Sequence, residues 1–284
     1  MIDAAGRELV RLALQEDLAG FGDVTSLWTI PEEARARGHI VAREPATVSG
    51  LELAAEVCAQ VDTSLEFAAL VDEGAAVVAG DALAEVSGVA RSLLSAERTL
   101  LNILRHLCGV ATQAARFADA VEGTGAVVVD TRKTLPGLRH WEKRAVRDGG
   151  CGNHRFGLFD MVLIKDNHLM AGGGITATVR RAKELAPFGM KVEVEVVSEA
   201  GLREALGAGA DIIMLDNMPP ADMVACVRLA RDLAPTVLLE ASGRVSLDSV
   251  RAIAETGVDI ISTSALTAGA PPVDLALDFV DMEE

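Results

Sequence analysis

The sequence predicts an α/β protein. An α+β N-terminal domain over residues 1–112 precedes a parallel β/α barrel-like domain over 113–270, an incomplete barrel of about six strands, and the chain end 271–284 folds back on the first domain. Three observations lead there. Up to about residue 112, strand-like runs are broken by Gly50, Gly74, Gly80 and Gly88 without regular alternation with helices. After Gly125, short apolar runs alternate with helical stretches, the mark of parallel βα units. Polar residues then collect where those runs end.

Taken in order, residues 4–18 predict a helix capped by Asp3, with Leu9, Leu12, Ala13 and Leu18 forming its apolar stripe. Strands are expected over 38–43, 46–49, 65–71 and 75–86. The run VDEGAAVVAGDALAEVSG resembles the turns of lipoyl-type domains but contains no lysine, which rules out a swinging arm. A long helix over 90–120 buries Leu93, Leu94, Leu100, Leu101, Leu104 and Leu107. The barrel strands are expected over 126–130, 161–165, 190–196, 211–216, 236–240 and 258–262, mostly apolar as strands buried on both faces should be. Asp130, Lys165, Asp216 and Glu240 then end their strands, and Glu193 and Glu195, two apart in one strand, share a face. In a β/α barrel the carboxyl ends of the strands form the active mouth. A doubly wound open sheet is the alternative arrangement.

Half of the 284 residues are apolar, enough to bury a sizeable core. No apolar run approaches the roughly 18 to 20 residues of a membrane-spanning helix, and the N-terminus lacks the basic start and apolar block of a secretion signal, so a cytoplasmic protein is expected. Cys58, Cys108, Cys151 and Cys226 lie far apart, without the spacing of a disulfide framework or a zinc site. A net charge of −16 argues against nucleic acid as a partner. Locally the balance reverses. Arg132, Lys133, Arg139, Lys143, Arg144, Arg147 and Arg155 face only Glu142 and Asp148 over that stretch, an island suited to a small polyanion in a cleft.

The string DTRKTLPGLRHWEKRAVRDGG, followed by NHRFGLFDMVLIKDNH, resembles the quinolinate phosphoribosyltransferase family over about 40 positions. The resemblance continues through LLSAERTLLNILRHLCGVAT before it and EVEV, IIMLDN, LLEASG and ALT after it. It implies transfer of phosphoribose from phosphoribosyl pyrophosphate to the ring nitrogen of quinolinate, with loss of pyrophosphate and of the neighbouring carboxylate, in NAD biosynthesis. Magnesium accompanies the second substrate, and no organic cofactor is implied.

By the same resemblance Arg132, Lys133, His154, Arg155 and Lys165 form the quinolinate pocket. Arginine offers a carboxylate a bidentate fork and lysine a mobile point charge. Lys133, Lys165, Glu195 and Asp216 are the implied catalytic set, with Glu195 and Asp216 approaching ribose and the magnesium-bound pyrophosphate through water. Ser242, Gly243, Thr263 and Ser264 match the region that receives the ribose phosphate. Arg98 matches an arginine that enters the partner's site in a homodimer.

Ser264 and Ala268 depart from the family pattern by replacing a glycine and a histidine, as do Cys151 for a glycine and Arg144 for a tyrosine. Rival readings are a paralogue of the molybdenum-transport-associated type acting on a related acid, a lyase using Lys165 as a Schiff base, and a non-catalytic sensor of phosphoribosyl ligands. A solvated helix face accounts for Arg139, Lys143, Arg144 and Arg147, and His39, His106 and His140 read as structural or surface histidines. Pairing with a neighbouring base is an equal alternative for Glu193, and orienting Lys165 is one for Asp166 and His168.

Overall fold

The computed structural model describes residues 2–283; Glu284, the last residue of the expected returning end, and Met1 lie outside them. Helix α1 runs Ala4–Leu18, where the carboxylate of Asp3 accepts the Gly6 N–H at 2.8 Å. A second helix, α2 (Val24–Thr29), is capped the same way by Asp23 and was not evident in the sequence. Then come β1 (Arg35–Ala42), β2 (Ala46–Thr47), α3 (Leu51–Val61), β3 (Glu66–Ala69), β4 (Ala76–Val77), β5 (Ala82–Val89) and α4 (Ala90–Ala120). Helix α3 has no side-chain cap and comes after Gly50 at φ +102°, so the usual N-terminal signal is missing. The strand expected over 75–86 is broken in two by a turn through Gly80 at φ +98°.

The chain continues with β6 (Val127–Val129), α5 (Arg139–Asp148), β7 (Val162–Ile164), α6 (Asp166–Gly172), α7 (Ile175–Leu185), β8 (Val192–Val196), α8 (Glu199–Ala208), β9 (Ile212–Asp216), α9 (Pro220–Leu233), β10 (Leu238–Ser242), α10 (Leu247–Ala254), β11 (Ile260–Ser262) and β12 (Leu275–Glu283). It divides into two compact units. One comprises residues 1–115, 135–150 and 270–284, the other 116–134 and 151–269. Residues 135–150, expected within the barrel-like part, thus group with the first unit.

In the first unit an antiparallel sheet has the order β12-β1-β5-β3, with β12 paired to β1 from Ala42↔Leu275 to Arg35↔Glu283. The apolar face of α4 is buried at Leu93, Leu100, Leu101, Leu104 and Leu107, as its periodicity requires. Helix α5 presents only part of the expected solvated basic face: Arg147 is exposed, but Lys143 and Arg144 are not. Lys143 is buried, Arg144 pairs with Glu52 and lies over the Trp141 ring, and the buried Glu142 meets His106 at 2.8 Å. Those charges stabilise the first unit. His39 likewise pairs with Glu85 at 3.1 Å.

The second unit is a six-stranded parallel sheet in the order β6-β11-β10-β9-β8-β7. From β7 to β11 each strand lies beside its predecessor, and β6 joins β11 at the far edge. A doubly wound sheet would reverse direction at a switch point. This order is that of a barrel cut open between β6 and β7, an incomplete barrel of six strands. Because every pairing in this sheet is parallel, the carboxyl ends of all six strands lie on the same side. No helix among the described residues is long and apolar enough to cross a membrane.

Candidate active site

The site is built from residues at and just beyond the carboxyl ends of the strands. Beyond β6, Asp130 is fully buried and accepts the Asn153 side-chain amide at 2.7 Å and the His154 N–H at 2.9 Å. A buried carboxylate without donors would be costly. Here it fastens the loop carrying His154 and Arg155 to the strand whose end carries Arg132 and Lys133. Beyond β7, the Lys165 N–H donates to His168 Nδ1 at 3.0 Å, so His168 anchors the backbone of that lysine.

A cavity of about 300 Å³ is lined by Arg132, Lys133, His154, Arg155 and Lys165, the five residues expected to receive the dicarboxylate, with Leu163 and Met214 offering apolar surface. Burial, and then the like charge of Arg132, hold Arg155 below its usual pKa. Two guanidiniums kept close in a partly dry cavity favour an anion between them.

A second cavity of about 650 Å³ is lined by Glu195, Asp216, Ser242, Gly243, Thr263 and Ser264. Lys133 and Lys165 line both cavities, so the two adjoin. Lys165 Nζ donates to Glu195 at 2.8 Å, making it a link between the basic and acidic halves and not a member of the basic half alone. An amine committed to a carboxylate in this way is poorly placed as a Schiff-base nucleophile.

The phosphate-side residues divide by what their side chains already do. The buried Thr263 hydroxyl donates to Val245 O at 3.0 Å and accepts the Ala265 N–H at 3.1 Å, so it shapes the loop. Ser242 Oγ meets Ser262 Oγ at 3.1 Å. Gly243 has φ +101°, and a Cβ there would stand 2.3 Å from Asn217 Oδ1; only glycine fits. Ser264 opens a short 3₁₀ turn, Ser264–Leu266, and is not among the positive-φ residues, so serine takes this position without strain. Positive φ falls instead on Asn217 (+52°) and Arg244 (+50°), both at the larger cavity.

Beneath the smaller cavity is a cluster that sequence reasoning only half anticipated. His154 Nε2 lies 3.2 Å from Glu193 and 3.3 Å from Glu240, and Ser262 Oγ donates to the other Glu240 oxygen at 2.5 Å. Glu193 thus pairs with a base. Glu240 does not end its strand, because β10 extends to Ser242; it is a buried mid-strand residue. The three ligating atoms lie within 4.8 Å of one another, a metal-like spacing. However, His154 Nδ1 accepts the Arg155 N–H at 2.7 Å, which places the ring proton on Nε2, the atom a metal would need. The cluster is a proton site.

Burial raises Glu193 to about 7, with Glu240 adding to the effect and His154 opposing it. Burial works downward on His154, but Glu193 and Glu240 outweigh it and raise the ring to about 9. The Arg155 N–H opposes a second ring proton. Whether the extra proton rests on the ring or on Glu193, the folded cluster retains one that the unfolded chain releases. Both folded pKa values exceed their unfolded counterparts, so this stability is present at low pH and lost as pH rises through about 7 to about 9. Melting temperatures measured from about pH 6 to 9.5 should fall, and Glu193→Gln should flatten the fall. An equally steep decline in the variant would contradict this assignment.

Arg98 is exposed on α4 in the first unit. Among the residues that sequence reasoning did not assign to the site are five polar ones: Asp130, Asn153, Glu240, Ser262 and Arg244. Asp130 and Glu240 gave a signal as acids on apolar strands; the other three became visible only through their contacts or cavity position.

The chain matches the profile of the quinolinate phosphoribosyl transferase C-terminal domain over residues 110–278 and that of its N-terminal domain over 23–108. It is 42% identical to a carboxylating nicotinate-nucleotide pyrophosphorylase of Mycobacterium leprae, over 96% of this chain and 97% of that one. It is 39% identical to quinolinate phosphoribosyltransferase [decarboxylating] 1b of Nicotiana tabacum, over 95% and 81% respectively. A solved nicotinate-nucleotide pyrophosphorylase from Francisella tularensis superposes with a TM-score of 0.93 at 39% identity, covering 98% of this chain and 97% of that one.

Proposed function

This chain belongs to the quinolinate phosphoribosyl transferase family, and from that premise we propose that it transfers phosphoribose from phosphoribosyl pyrophosphate to quinolinate with decarboxylation, forming nicotinate mononucleotide, pyrophosphate and carbon dioxide for NAD biosynthesis. The observation that carries the reading is the pair of adjoining cavities, one lined by cations and the other bringing the carboxylates of Glu195 and Asp216 together with cations, that share Lys133 and Lys165. The names of the relatives favour quinolinate over the related acid of a transport-associated paralogue.

In this reading Arg132, Arg155, Lys133 and His154 hold the two carboxylates while Leu163 and Met214 flank the ring. The ring nitrogen is thereby held toward the larger cavity, where proximity to the anomeric carbon replaces a bimolecular encounter. Asp216 and Glu195 face the ribose hydroxyls and the magnesium salt of the pyrophosphate, oxygen donors of the type that ion prefers, with water between. Ser242, Gly243, Thr263 and Ser264 shape the part that takes the ribose phosphate. Lys133 and Lys165, reaching both cavities, stabilise the negative charge that grows on the leaving pyrophosphate. Once alkylated, the ring nitrogen is cationic and stabilises the electron pair left at the adjacent carbon when carbon dioxide departs; that carbon then takes a proton. The protein need only orient the departing carboxylate and exclude water from it.

A pocket with several cations should distinguish two carboxylates from one. Calorimetry should find quinolinate bound at least about tenfold more tightly than nicotinate, a difference of roughly one charge-assisted contact. Equal affinities would remove the reading of the smaller cavity.

The same reading includes a homodimer in which Arg98 completes the neighbouring site. Mixing inactive Arg98→Ala and Lys165→Ala chains should restore part of the activity, because one of the two sites in a mixed dimer would carry both native residues. No recovery despite confirmed subunit exchange would argue for a site within one chain. A cytoplasmic setting accords with four buried free cysteines, and cell fractionation tests it.

A further inference from the structure

We propose that Arg244 is the cation that holds the terminal phosphate of a ribose phosphate in the larger cavity, an assignment resting on the phosphoribosyl reading above. Three cations line that cavity, and two are otherwise engaged: Lys165 is tied to Glu195 at 2.8 Å, and Lys133 also faces the smaller cavity. Arg244 lines only the larger one, and its exposed side chain has no ion pair or hydrogen bond to any other described residue. The opposite loop brings Ser264, Ala265, Ala268 and Gly269, none of them charged. A phosphate dianion entering here would meet Arg244 as its available guanidinium, and the planar fork of arginine matches phosphate oxygens in pairs.

The backbone points the same way. Arg244 sits at φ +50°, a left-handed conformation that a side chain disfavours and that glycine adopts freely. The loop is held in place on both sides. Gly243 packs against Asn217, and Thr263 Oγ1 donates to Val245 O at 3.0 Å, joining this loop to the one that carries Ser264 and Ala268. An arginine kept at a glycine-like position, on a fixed loop at the cavity wall, fits a ligand-binding side chain better than a spacer.

The experiment is calorimetric titration of the full chain with ribose 5-phosphate, comparing the parent with Arg244→Gly and Arg244→Lys. The glycine variant should bind at least about tenfold more weakly and the lysine variant should recover part of the loss, since charge is kept but the fork is not. Because glycine suits the positive φ, its melting temperature should match or exceed that of the parent, which separates lost binding from lost folding. Quinolinate affinity should be the same in both, as Arg244 does not line the smaller cavity. Ribose 5-phosphate bound equally by parent and glycine variant would overturn the proposal. A parent that fails to turn over phosphoribosyl pyrophosphate, yet binds ribose 5-phosphate through Arg244, would overturn the reaction instead and leave the phosphate site standing.

Discussion

Arg132→Ala and Lys165→Ala should each abolish measurable turnover and weaken quinolinate binding at least about tenfold, since loss of one charge-assisted contact costs roughly 1.5 to 3 kcal/mol. Arg132 lies beyond the end of β6 and lines the smaller cavity beside Arg155, whose pKa is held down by burial and by this neighbour. Removing Arg132 relieves that repulsion but takes away half of the fork pair that a dicarboxylate would bridge. Lys165 is expected to be the more damaging loss. It lines both cavities and neutralises Glu195, so alanine there also leaves a carboxylate with 14% side-chain exposure lacking its partner. Calorimetry with quinolinate, together with circular dichroism to establish that the variants fold, decides the matter. Native affinity in both variants would remove these residues from the pocket.

The second large effect is expected from the acids and falls on the other substrate. Asp216→Asn keeps shape and removes charge, and it should leave quinolinate affinity within about threefold while the KM for phosphoribosyl pyrophosphate rises and its magnesium dependence changes. Glu195→Gln should be less selective, because Glu195 also accepts from Lys165 at 2.8 Å and its loss disturbs a residue of the smaller cavity. The contrast is itself a consequence of the geometry. Poor quinolinate binding by Asp216→Asn, with a magnesium response like that of the parent, would show that the two cavities do not divide the substrates in this way.

Much of this was legible in the sequence, for identifiable reasons. The barrel strands are short apolar runs whose polar residues fall at their ends, so Lys165 and Asp216 could be placed at the mouth from spacing alone. The two-residue period of β8 set Glu193 and Glu195 on one face. The sequence could not indicate which charge meets which. Glu240 looked like a strand end because the register of β10 is fixed by pairing with β9 and β11 and not by its own composition. Helix α5 looked like a solvated basic face because Glu52 and Glu73, the partners of Arg144, lie far earlier in the chain. Helix α3 was missed because a left-handed glycine without a side-chain cap precedes it. The departure at Ser264 brings no backbone strain, since the positive φ belongs to Arg244.

Joining phosphoribose to quinolinate and expelling the carboxylate beside the ring nitrogen are two halves of one reaction, and both can be followed at once. The most direct measurement uses quinolinate labelled with heavy carbon in that carboxylate, together with phosphoribosyl pyrophosphate and magnesium, and follows every product by NMR. The expected result is labelled carbon dioxide, pyrophosphate and unlabelled nicotinate mononucleotide in equal amounts. A nucleotide product that keeps the label, or labelled carbon dioxide without pyrophosphate, would contradict it.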